Sequence, residues 1–217
     1  MTAGDACTAR VGGLLREAAT WRLLGRLLEC PGDRWHAEIA ALARELADTE
    51  LVATVAAAAG VATEGQYHSV FGPGGPAPPR EATYRDTLEL GSLMSSLAGR
   101  YNAFGYAPEL AEPPDHVAIE VGFLAYLKLK EAYALAEGDE PRAAVASRAA
   151  ERFITDHLAM IAVPLAGLLA SSHLEYLARA SRRLAALVGP HPHSRRLPML
   201  PIASSDDDTD AFECGTS

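Results

Sequence analysis

Glu112-Pro-Pro-Asp115-His116-Val-Ala-Ile-Glu120 gathers three carboxylates and an imidazole into one short stretch. Acids beside a histidine can move protons, hold a metal ion or receive a cation. Asp156-His157 is the one obvious partner pair further along the chain. One reading is therefore a helical metal-dependent hydrolase using Asp115, His116, Asp156 and His157. Metal sites on helices usually draw two ligands at i, i+3 or i, i+4 from more than one helix; His116 and Glu120 have that spacing, but Asp156-His157 is the only obvious partner on a second helix. No metal, cofactor or catalytic residue is expected. A second reading is structural: acids at a helix mouth cap it, favoured by its dipole, and pair with one another and the histidine. A third is recognition of a cationic partner.

Other candidate chemistry is thinner. Gly72-Pro-Gly-Gly-Pro-Ala-Pro-Pro-Arg80 is glycine-rich, but a phosphate cradle needs a lysine and a preceding strand, so it reads as a connector. Cys7, Cys30 and Cys214 are odd in number and widely spaced, which argues against a disulfide framework or a zinc site. A reducing cytosol suits them. A Ser or Cys nucleophile has no supporting context: Cys30, just before Pro31, has no histidine beside it in sequence, and His191 and His193 read as solvated.

These residues must be held by helices. Leu14, Ala18, Trp21, Leu24 and Leu28 step along one face of a helix over 8–30. Pro31-Gly-Asp33 reads as a stop and a cap. Further helices are expected over 35–47, 51–59, 63–71 and 86–104. Pro113-Pro114 suits the entry to a central helix over 115–136, apolar on most sides through Val117, Val121, Leu124, Ile119, Phe123 and Tyr126. Gly138 to Pro141 opens another helix, carrying Val145, Ala149 and Phe153, and helices over 158–171 and 173–188 complete the set. No run alternates as a strand would. The expected fold is all-α: one helical bundle over 1–189, then an acidic, disordered tail over 190–217.

Net charge is −9, which disfavours nucleic acid and anionic membranes and favours a basic peptide or protein. Residues 1–13 carry no secretory-type apolar run. The longest apolar run, 158–170, is broken by Pro164 and too short to span a bilayer.

Taken in order, Tyr67-His-Ser-Val-Phe71-Gly-Pro73, the Pro-rich loop, Glu112-Pro-Pro-Asp115-His116 with Glu120 and Phe123, and Phe153-Ile-Thr-Asp-His157-Leu158 resemble the TorD/DmsD/NarJ family over about 10–188. These are dedicated assembly chaperones of molybdenum-containing oxidoreductases. The chain departs from that pattern at Ala159-Met-Ile-Ala-Val-Pro164, which lacks an expected aromatic, and at Glu81-Ala-Thr-Tyr84, which keeps only a tyrosine. The resemblance implies a TorD-like bundle and a cytoplasmic, non-enzymatic chaperone, as a monomer or domain-swapped homodimer. Its partner would be the apo catalytic subunit of a molybdopterin oxidoreductase, gripped by an N-terminal twin-arginine leader and held until cofactor insertion. Glu112, Asp115 and Glu120 would accept the guanidiniums. Phe123, Tyr67 and Phe71 would line a groove for the apolar part, and His116 would orient a carboxylate or adjust the charge near neutral pH. The structural reading above corresponds instead to a helical adaptor, in which the acids only cap.

Overall fold

The computed structural model describes residues 3–85 and 90–190. α1, Ala3–Leu27, starts earlier than its apolar periodicity indicates and buries Leu14, Ala18, Trp21 and Leu24 on one face. α2, Trp35–Glu45, opens without a side-chain cap, so Asp33 does not play that part. Its start is fixed instead by the Trp35 indole, which donates to the Arg26 carbonyl at 2.6 Å. α3, Thr49–Ala58, is capped by Asp48, whose carboxylate accepts from the Glu50 and Leu51 N–H groups at 3.0 Å. α4, Glu64–Phe71, is capped by Thr63. α5, Leu90–Phe104, agrees at its C-terminal end with the expected helix over 86–104; positions 86–89 lie outside the described residues.

α6, Val117–Ala136, is the axis of the molecule. Thirteen of its twenty residues are buried, too many for a one-sided amphipathic helix, and α1 and α7 pack on it most extensively. α7, Glu140–Phe153, is capped by Asp139, which accepts from the Arg142 N–H, with Pro141 in its first turn. A single π turn, Ile154–Leu158, joins it to α8, Ala159–Leu169. The sequence reads as two separate helices there. The extra residue of the π turn lets the chain change phase without stopping. The combined stretch Glu140–Leu169 is long and apolar enough to cross a membrane by length and composition, and half of that window is buried inside the bundle. α9, Glu175–Val188, packs on α8 and α3.

Among the described residues there is no strand, only an isolated antiparallel bridge between Arg80 and His116. The expected tail lies almost wholly outside the described residues, which end at Pro190.

Candidate functional site

The helix mouth singled out by its acids is a buried junction. The Pro-rich loop returns from α4 and lies along the entry to α6. The Val117 N–H donates to the Pro79 carbonyl at 2.8 Å, and the Glu81 N–H to the Asp115 carbonyl at 2.9 Å. Asp115 is fully buried and accepts from Arg80 Nε at 2.9 Å and from the Ala82 N–H at 3.2 Å. The Tyr101 hydroxyl donates to the Pro114 carbonyl at 2.8 Å and closes the outer side. A loop expected to be a plain connector is thus clamped, through Asp115, to the central helix. The loop's tight turn needs its glycines: a Cβ on Gly75 would sit 2.3 Å from the Val70 carbonyl oxygen.

His116, rather than Asp115, is the cap of α6. Its Nδ1 accepts from the Ala118 N–H at 3.2 Å, so Nδ1 carries no proton. Nε2 then bears it and donates to the Tyr67 hydroxyl at 3.1 Å; that hydroxyl in turn faces the Leu28 carbonyl at 3.5 Å. Burial, reinforced by the Arg80 charge, pushes the His116 pKa down to about 4. The ring is therefore neutral across the physiological range, which corrects the expectation that it adjusts charge near neutral pH.

One turn further, Glu120 is fully buried against Glu81. Neither of its oxygens has a partner at full hydrogen-bond geometry. Burial first, then the adjacent Glu81 carboxylate, holds its pKa well above the ordinary range, so Glu120 is a neutral acid. Burial would also raise Glu81, but hydrogen bonding from His157, contact with the Glu120 acid and the Arg85 charge keep it lowered and ionised. His157 Nδ1 lies 3.0 Å from Glu81 Oε2, and Arg85 Nε donates to Glu81 Oε1 at 2.6 Å. The π turn aims His157 inward while Asp156 faces out to Arg100 at 2.7 Å. Asp115, His116, Asp156 and His157 thus sit in four different pairings. Among the described residues no group of three or more His, Cys, Asp or Glu side chains converges as a metal site.

Of the other expected contact residues, Tyr67 and Phe71 are buried and pack ring to ring at 5.0 Å. Phe123 is buried among Tyr101, Tyr106 and Phe153. Glu112 alone is exposed, and its charge reaches Cys30 and Tyr67.

The open concavity lies on the other side of α6, and the sequence reading did not find it. Three cavities follow one another along α6, the first two against α1 and the third between α5 and α7. The first, about 330 Å³, is lined by Arg22, Arg26, Glu29, Tyr106, Glu109 and Gly122. The second, about 310 Å³, shares Arg22, Tyr106, Gly122 and Tyr126 and adds Leu15, Ala18, Leu42 and Leu129. The third, about 650 Å³, shares Leu129 and adds Phe104, Tyr133, Val145, Lys130 and Arg142. Leu15, Leu129, Tyr133 and Val145 are each about half exposed or more, an unusual concentration of large apolar groups on one face. The connector over 105–110 forms one wall. It is pinned by the Tyr126 hydroxyl, which faces the Phe104 and Gly105 carbonyls at 3.2 and 3.3 Å. Gly122 makes room there: a Cβ would stand 2.7 Å from the Tyr106 hydroxyl, which would have to move. At the first cavity Arg26 is shared among Glu29, Glu38 and Glu109 at 2.5, 3.2 and 3.5 Å. The only sequence signals of this groove were a glycine inside an apolar helix and apolar residues left over from the core face.

Residues 33–166 match the family described as nitrate reductase delta subunit. The fold resembles the crystal structure of a candidate redox enzyme maturation protein from Archaeoglobus fulgidus. The TM-score is 0.53 and the identity 18%, over 79% of this chain and 93% of that one. No curated protein matches the chain.

Proposed function

Since the chain belongs to the nitrate reductase delta subunit family, the NarJ/TorD-type chaperones of molybdoenzyme maturation, we propose that it is a cytoplasmic chaperone that binds the N-terminal leader region of an apo-molybdoenzyme catalytic subunit and holds it until the cofactor is inserted. It performs no catalysis of its own in this reading.

The observation that carries the leader-binding part is the groove along α1 and α6. One end presents Glu29, Glu38 and Glu109, with Glu112 and Glu64 nearby around Cys30. The middle is apolar through Leu15, Ala18, Leu42 and Leu129. Paired guanidiniums followed by an apolar stretch match that order. Glu29 and Glu109 already hold Arg26, so an incoming guanidinium exchanges one ion pair for another. Burial of the apolar segment must then supply most of the affinity.

In this assignment Glu112 touches the client, and the buried Asp115, His116, Glu120, Tyr67, Phe71 and Phe123 serve it indirectly by fixing the helix that floors the groove. The same reading covers a monomer or a domain-swapped homodimer. The pinned connector over 105–110, a hinge that a swap would have to open, favours the monomer.

The test is fluorescence anisotropy with a labelled peptide carrying two arginines ahead of seven apolar residues. Leu129→Glu and Glu109→Arg alter exposed groove positions and should each weaken binding about tenfold, on the order of 1.4 kcal/mol. Binding unchanged in both would sink the groove assignment. A loss caused only by Asp115→Asn would move the site to the clamped junction.

A further inference from the structure

The stripe of α6 that stays open is not the polar face a surface helix shows. Leu129, Lys130, Tyr133, Ala136 and Glu137 are exposed, with Tyr126 half-buried at the head of the row. Steps of three and four keep them on one side of the helix. Leu129 is 48% and Tyr133 62% exposed, and Val145 of α7 adds a third large apolar group beside the cavity of about 650 Å³. Apolar surface gathered in this way marks a contact.

The same stripe carries two charges with no counter-charge. Lys128 is held by Glu17 and Glu131 at 3.1 and 3.8 Å. Lys130 lies over the Tyr126 ring at 5.1 Å, and Glu137 stands at the C-terminal cap; neither is in an ion pair among the described residues. A carboxylate at a helix C-terminus faces the wrong end of the dipole and gains from an incoming cation.

Lys130 and Glu137 are seven residues apart, nearly two turns, so they share one side and stand about 10 Å apart along the axis. Their midpoint falls between Tyr133 and Ala134. A second α6 laid antiparallel on the first, with a twofold axis through that midpoint, brings each Lys130 against the other copy's Glu137. It also sets Tyr133 against Tyr133 and Leu129 against Ala136. A twofold contact requires a patch that complements itself, and this register supplies one. Sliding either copy by a turn parts both ion pairs.

We infer that the 129–137 stripe of α6 is where a second copy of this chain docks, as an antiparallel twofold dimer. The occupant is a second copy rather than an acidic or a basic peptide, because the face offers one free charge of each sign, placed symmetrically. No segment is exchanged, so the connector over 105–110 stays pinned. Leu129 also lines the second cavity, so a client and a second copy compete for it. That consequence rests on the groove reading; the dimer itself does not.

The experiment is sedimentation equilibrium of the full chain over a wide concentration series, for the unaltered chain, Lys130→Glu, Glu137→Lys, the double variant and Tyr133→Asp. The expected result is a monomer–dimer equilibrium, weakened about tenfold or more in each single charge variant, where like charges meet, and restored in the double variant. Tyr133→Asp should abolish association. All these positions are exposed, so thermal melts of the variants should match that of the unaltered chain. A dimer that no change affects overturns the inference, and so does a double variant no tighter than the single ones. A chain that stays monomeric, and loses the labelled two-arginine peptide in Tyr133→Asp, gives the face to the client and also overturns it. Dissociation of the dimer as that peptide saturates supports the competition at Leu129, and a dimer that persists overturns it. If the dimer forms and answers to the charge exchange while no form binds the peptide, the client reading fails and the dimer stands.

Discussion

His116 is locked as one tautomer between a backbone N–H and the Tyr67 hydroxyl, and its depressed pKa has a consequence for stability. An unfolded chain protonates this histidine near 6.5, whereas the folded one resists until about 4. Stability is therefore unaffected above pH 6.5 and falls as pH drops from 6.5 to 4, by about 3 kcal/mol in all. Chemical denaturation across that window should show the decline, and His116→Gln should flatten it while lowering stability at pH 7. Glu120 has the opposite sign. Its folded pKa is raised, so the native state keeps a proton that the unfolded chain loses above about 4.5, and stability falls with rising pH. Glu120→Gln keeps the shape of the neutral acid without that liability. It should be neutral or stabilising at pH 7 to 8, and a large loss would mean that Glu120 is ionised in the fold. Gly122→Ala should displace Tyr106 from the groove wall and change peptide affinity more than thermal stability.

At the scale of elements, the 80–85 segment acts as a strap holding the entry of α6. Its ties are Asp115 to Arg80 and Ala82, and Glu81 to His157 and Arg85. Asp115→Ala leaves the Ala82 N–H without its acceptor and the partly exposed Arg80 without its partner, and should cost about 2 kcal/mol. Hydrogen exchange should show the Glu81 and Val117 amides opening first, ahead of the core of α6. Much of this layer was legible in the sequence. The helix faces of α1 and α6, the Pro113-Pro114 entry and the helix start at Gly138 to Pro141 each carry their own local signal of periodicity or fixed φ. The strap was not legible. Apart from the local Glu81–Arg85 pair, its bonds join residues 33 to 76 apart, and nothing in Arg80 or Glu81 says which distant group will meet it. The π turn was hidden for a related reason: it leaves helical composition intact and changes only the phase. The acids of the helix mouth were visible as a cluster. Their type does not reveal whether they face water or an arginine from another element, and here all but Glu112 face inward.

For the molecule as a whole, the net charge of −9 and the acidic end of the groove point the same way. A basic peptide should associate faster at low salt, and its affinity should fall about tenfold between 50 and 500 mM salt, chiefly through the on-rate. Titrations at three ionic strengths check this, and a flat response would leave apolar burial as the sole source of binding. The groove stayed out of reach of sequence reasoning because it belongs to no element. It forms where α1, α2, α5, α6, α7 and a pinned connector meet, from residues that each look like surplus on their own helix. That same pairing of α1 with α6 bears on how the protein is made. Gly25 lies against Gly122, so two surfaces that bury each other are synthesised about a hundred residues apart. At ribosomal rates α1 waits roughly 5–20 s for its partner with Leu23, Leu24, Leu27 and Leu28 uncovered. A chaperone of this design is itself an aggregation-prone nascent chain until its central helix has left the ribosome.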